Sequence, residues 1–126
     1  MAGGAGRVVA LHHVQVAMPA GQDEVAEGFY CGLLGFERVE KPEALRARGG
    51  CWFRSGAAEC HLGVEDDFRP ARKAHPAFLV DDLAAIRERL ERAGVEVVPD
   101  DQVEGHERFY VRDPFGNRLE LIAPVG

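Results

Sequence analysis

Five histidines occur among the 126 residues, and three of them could do chemistry together with one carboxylate: His13, His61, His75 and Glu120. Neutral imidazole and carboxylate are ligands for a divalent first-row metal, whether Zn, Fe, Mn, Co or Ni. Three or four such donors leave coordination positions open for water and substrate, which is the catalytic pattern. Each donor has apolar neighbours: Val14, Cys60 and Leu62, Pro76 and Phe78, Leu119 and Leu121. Side chains alternate across a strand. The apolar sides can therefore pack inward and leave the four donors on the opposite face. Taken singly, a strand glutamate is most often solvated and a strand-end histidine structural. The joint spacing carries the metal reading.

That spacing comes from a repeat. His75 follows His13 by 62 residues, and Glu120 follows His61 by 59. "HHVQVAMP" predicts a first strand, with Val14, Val16 and Met18 on one face and His13, Gln15 and Ala17 on the other. His12 is then expected to point away from His13, as a structural strand-end residue. "DEVAEGFYCGLLG" predicts a helix with Val25, Ala26, Phe29 and Leu33 inward and Gly35 at its end. "FERVEK" predicts a strand, and "PEALRARGG" a loop or short helical turn. "CWFRSGAAECHLGV" predicts a hairpin turning at Gly56-Ala57, which pairs Arg54 with Glu59 and Trp52 with His61 on one surface. After the polar connector 65–74 the order recurs. "HPAFLV" is a strand, and Asp81 or Asp82 caps a helix over Leu83–Ala93 with a stripe of Leu83, Ile86, Leu90 and Ala93. "VEVVP" is a strand, and "ERFYVRD" and "NRLELIA" form a hairpin around Pro114-Phe115-Gly116.

The expectation is one α+β domain over residues 1–126. It comprises a first module at about 11–64, the connector 65–74 and a second module at about 75–123, each of the form βαβββ. A net charge of -6 without a basic run excludes a nucleic-acid face, and no apolar stretch reaches membrane-span length. The start does not read as a secretion signal, and its tail is expected to fray through about Gly6. Three cysteines, an odd number without a CxxC, argue for a reducing, cytoplasmic setting.

The segments "HHVQVAMP", "FYCGLLGFE", "CHLGVE", "HPAFLVDDL", "RAGVEV" and "FYVRDPFGNRLELIAP" resemble the vicinal oxygen chelate superfamily. That superfamily includes glyoxalase I, bleomycin resistance proteins and extradiol dioxygenases. The resemblance spans about residues 11–123. It implies two βαβββ modules whose curled mixed sheets form a cup-shaped half-barrel around a metal, with the helices outside. It carries the ligands over to His13, His75 and Glu120, a two-histidine, one-carboxylate set. His61 takes the fourth position, where glyoxalase I has Glu and related epimerases can have Gln. A homodimer is implied as well, because single-chain members often complete the cup with a partner's strands.

Two functions follow as expectations. The first is a divalent-metal-dependent enzyme of lyase, isomerase or dioxygenase type. It would act on a small oxygenated molecule, with Glu120 or a metal-bound water moving a proton. Trp52, Arg54, Tyr110 and Arg118 are the candidate substrate contacts. The alternative is a metal-free protein that sequesters a small molecule, as in the bleomycin resistance branch.

Overall fold

The computed structural model describes residues 4–125; residues 1–3 of the expected tail lie outside the described residues. The first half contains β1 (Val14–Met18), α1 (Asp23–Tyr30), β2 (Glu37–Val39), α2 (Glu43–Arg46), β3 (Cys51–Ser55) and β4 (Ala58–Val64). The second contains β5 (Ala77–Leu79), α3 (Leu83–Arg92), β6 (Val98–Pro99), β7 (His106–Arg112) and β8 (Arg118–Pro124). Each half forms a mixed four-stranded sheet, in the orders β1-β4-β3-β2 and β5-β8-β7-β6. The first strand of each runs parallel to the last, and the remaining pairs are antiparallel. The architecture is the expected α+β pair of βαβββ modules, without a closed barrel.

Local chemistry explains the elements. Asp82 caps α3 by accepting the Ala85 amide at 3.0 Å, and Gly94, at φ 81°, follows its end. Ile86 and Leu90 supply the buried stripe; Ala93 is exposed. In α1 the buried residues are Ala26, Phe29 and Tyr30, continued by Leu34, while Val25 is 46% exposed. The inward face is thus turned by one position from the expected Val25/Phe29/Leu33 stripe. Tyr30 causes the turn. Its ring stacks on Phe53 and its hydroxyl donates to Asp113 at 2.7 Å.

The core is continuous between the halves, for example where Phe36 meets the ring of Phe78 edge-on at 5.4 Å. Cys51, Phe53, Cys60 and Leu62 face it from β3 and β4, and Phe109, Val111, Leu119 and Leu121 from β7 and β8. Asp113 and Asn117, in the β7–β8 turn, lock the halves together. Asp113 Oδ1 accepts from the amides of Phe115 and Asn117, and its Oδ2 accepts from Tyr30 and the Asn117 amide group. Asn117 also donates to the Ala17 carbonyl at 2.8 Å. This buried network joins β1 and α1 to β8.

Two further expectations need correction. The first strand begins at Val14 and the fifth at Ala77, so His12, His13 and His75 precede their strands. Strand alternation therefore does not govern His12 and His13. Their Nδ1 atoms lie 2.9 Å apart, and the rings meet edge to face instead of pointing to opposite faces. No helix among the described residues is long and apolar enough to cross a membrane.

Candidate functional site

The β3–β4 hairpin has the expected register: Trp52 opposite His61 and Arg54 opposite Glu59. On the face away from the core, three planar rings form a stack. His13 lies on His61 with centroids 4.2 Å apart, and His61 lies on Trp52 at 4.1 Å with 4° between planes. His61 is 4% exposed. Burial pushes its pKa down, against the raising effect of its hydrogen bond to Glu59 and with the lowering effect of His13. Its Nε2 lies 2.8 Å from Glu59 Oε2, and Arg54 donates to Glu59 Oε1 at 3.0 and 3.1 Å. The hydrogen bonds from His61 and then Arg54 hold the Glu59 carboxyl below its ordinary range. With Nε2–H given to Glu59, the lone pair of a neutral His61 sits on Nδ1.

The second half places Tyr110 opposite Glu120, at the positions equivalent to Trp52 and His61. Glu120 is 5% exposed. Its Oε1 lies 2.9 Å from His75 Nε2, and its Oε2 lies 3.4 Å from Arg108. The other nitrogen of His75, Nδ1, lies 2.9 Å from the Lys73 carbonyl. A carbonyl only accepts, so Nδ1 carries the hydrogen, and Nε2 of a neutral ring presents its lone pair to a carboxylate oxygen. Two acceptors at that distance need a proton or a metal cation between them. The backbone carbonyl on the far nitrogen fixes the tautomer and orientation of the ring, as it also does in some metal-binding histidines. Tyr110 meets His75 edge to face at 5.2 Å, and the Arg118 guanidinium lies 4.0 Å over the Tyr110 ring.

The expected donors thus meet as two pairs, His13 with His61 and His75 with Glu120. Among the described residues no three His, Cys, Asp or Glu side chains converge on one cation position. His13 and His75 do both line one groove of about 1200 Å³, together with Glu59, Arg118, Phe36, Phe78 and Leu121. Of the candidate substrate contacts, Trp52 is committed to the stack, Arg54 to Glu59 and Tyr110 to His75 and Arg118. Arg118 has no carboxylate partner among the described residues; it reaches the Lys73 carbonyl at 3.4 Å.

Sequence reasoning gave no role to Glu59, Arg108, Asp113 or Asn117. The hairpin register had put Glu59 on the site face. Arg108 shares the face of Tyr110 by alternation, and that was the available signal for it. Asp113 and Asn117 lie in a turn whose partners come from the other half of the chain, so no local signal marks them.

A sequence profile of the Glyoxalase/Bleomycin resistance protein/Dioxygenase superfamily matches residues 10–121. Among solved structures, a Bacillus anthracis protein described as glyoxalase family is 45% identical, with a TM-score of 0.90 over 95% of this chain and 98% of that one. A lactoylglutathione lyase from Agrobacterium tumefaciens is 25% identical, with a TM-score of 0.62 over 87% of this chain and 91% of that one. TnmS3, an antibiotic binding protein from Streptomyces sp. CB03234, shares the fold at 21% identity and a TM-score of 0.70, over 94% of this chain and 100% of that one. No curated protein matches the sequence. This chain belongs to the glyoxalase/bleomycin resistance protein/dioxygenase superfamily.

Proposed function

We propose that the chain is a divalent-metal-dependent enzyme acting on a small oxygenated molecule. His13, His75 and Glu120 would hold the metal, with His61 as a fourth donor. The observation that carries this reading is the facing of His75 Nε2 and Glu120 Oε1 at 2.9 Å, with the far nitrogen of His75 tied to a carbonyl. Two imidazoles and a carboxylate suit Zn, Fe, Mn, Co or Ni. When bound, such an ion supplies Lewis-acid stabilisation of negative charge on a substrate oxygen. Glu120, or a water held at the site, would move a proton. Arg118, free of carboxylate partners among the described residues, is the side chain available to a negatively charged substrate group; Trp52, Arg54 and Tyr110 wall the site.

Each half supplies two donors. A homodimer in which the first half of one copy faces the second half of the other would supply four, and this is the assembly we propose. The odd cysteine count without a CxxC supports a cytoplasmic setting. Elemental analysis of the purified protein tests the metal. About one ion per chain is expected, with loss of it in His75→Ala; a metal-free wild-type protein ends this reading.

A metal-free binding protein is the second reading. The groove of about 1200 Å³, with Phe36, Phe78 and Leu121 among its lining, favours it. TnmS3, which shares this fold, is described as an antibiotic binding protein, in line with a binding role.

A further inference from the structure

We propose that Arg118 and Arg112 form an oxyanion subsite of the groove, and that the ligand taken there is an apolar molecule ending in a carboxylate. The inference deepens the reading above by naming the ligand class, and it rests on the groove being the site of a small molecule, with or without an ion. Arg112 and Arg118 stand directly opposite each other at the turn end of the β7–β8 hairpin. Alternation puts both on the face away from the core, because their neighbours Val111 and Leu119 are buried in it. Like charges placed opposite each other across a ladder repel. Neither arginine has a carboxylate partner among the described residues. Arg112 donates to the Gly116 carbonyl at 3.0 Å. Arg118 reaches the Lys73 carbonyl at 3.4 Å and lies 4.0 Å over the Tyr110 ring. These contacts orient the two guanidinium groups and leave their charges uncancelled. The carboxylates nearest in the chain are occupied. Asp113 is buried and accepts from Tyr30, the Asn117 side chain and two backbone amides. Glu120 is buried and faces His75 at 2.9 Å.

Three further cations come from the connector. It carries its acids first, Glu65, Asp66 and Asp67, and then Arg69, Arg72 and Lys73 as it reaches this hairpin. Arg69 lines the groove with Arg118, and a Cβ on Gly116 would meet the Pro70 side chain at 3.1 Å. The whole chain has a net charge of -6, so the sign is reversed locally. The equivalent place in the first half is neutral. There Arg54 stands opposite Glu59 and donates to it at 3.0 and 3.1 Å. One topology thus carries a closed ion pair in one half and an open cationic pair in the other. A guanidinium fork matches the two oxygens of a carboxylate. Phe36, Phe78 and Leu121 line the same groove and supply an apolar wall for the rest of the ligand.

Calorimetric titration of the full-length protein with 2-naphthoate and with its neutral counterpart 2-naphthamide tests the assignment. Both titrations are run in EDTA, so that no ion can hold the carboxylate. Wild type is expected to bind the acid at least about ten-fold more tightly than the amide. Arg118→Gln should weaken the acid about ten-fold and leave the amide within about two-fold, and Arg112→Gln should weaken the acid about three-fold. Arg87→Gln, which removes one surface charge on α3 beside Glu91, is expected to leave both affinities unchanged. Melting curves identify a variant that misfolds; if Arg118→Gln does, Arg112→Gln decides. Equal binding of acid and amide by wild type, or binding of neither, overturns the subsite. A loss in the folded arginine variants that falls equally on acid and amide also overturns it, as does full retention of the acid. An equal loss in Arg87→Gln would trace the effect to net charge and overturn it too. The titrations contain no free ion, so elemental analysis decides the metal reading separately.

Discussion

The two halves of this chain have one topology and two chemistries. At equivalent positions the first half has His13, Trp52 and His61, and the second His75, Tyr110 and Glu120. The first set is a ring stack, with His13, His61 and Trp52 lying face on face. The second is a charged pair, with Glu120 between His75 and Arg108. Even the neighbouring position changes sign. Glu59 pairs with Arg54, whereas its counterpart Arg118 stands opposite Arg112. The repeat supplies matched places, and different residues fill them: stacked imidazoles and an indole on one side, and a carboxylate beside arginines on the other.

Four perturbations break or sharpen that contrast. The largest effect is expected from unlocking the halves. Asp113→Ala removes the acceptor of the Tyr30 hydroxyl, of one Asn117 amide hydrogen and of two backbone N–H groups, and should cost about 3–4 kcal/mol in urea denaturation. Glu59→Gln tests the first half alone. It replaces the carboxylate that orients His61, and metal affinity measured by chelator competition should fall by about 10- to 100-fold. An unchanged affinity would remove His61 from the donor set.

Alkaline pH separates the halves in another way. Burial, with the Asp113 charge, raises the Tyr30 pKa well above its ordinary value; burial raises Cys60 to about 12 and Cys51 to about 11. All three groups lie in the first half. Folded pKa values above the unfolded ones give stability that is complete below about pH 9 and is lost as pH rises towards the folded values. Denaturation midpoints should therefore hold to about pH 9 and fall beyond it, with a shallower fall in Cys60→Ala. A midpoint independent of pH up to 11 would contradict the burial of these groups. The smallest effect is expected from His12→Ala, within about 0.5 kcal/mol in stability, because His12 is exposed and meets the exposed ring of its neighbour His13.

Much of this was legible in the residues. The Gly56-Ala57 turn fixed the register that sets Trp52 on His61, because a two-residue loop leaves little freedom in pairing. The offsets of the repeat identified His13, His61, His75 and Glu120 as equivalent pairs. The apparent strand through His12 and His13 misled, since alternation applies only once the ladder starts, at Val14. The face of α1 was off by one position. Tyr30 reads as half polar, and the acceptor that makes its burial affordable is Asp113, 83 residues away. The grouping of donors into two pairs was also hidden, because strand spacing places residues within a sheet and says nothing of how two sheets are set against each other.

The central claim is that donors from both halves serve one cation. Its most direct test is metal binding by His13→Ala and Glu120→Gln, assayed side by side with wild type. The account predicts about one ion per wild-type chain and an affinity reduced more than about 100-fold in each variant, although the two residues lie in different halves. Full retention of the metal in either variant would contradict it.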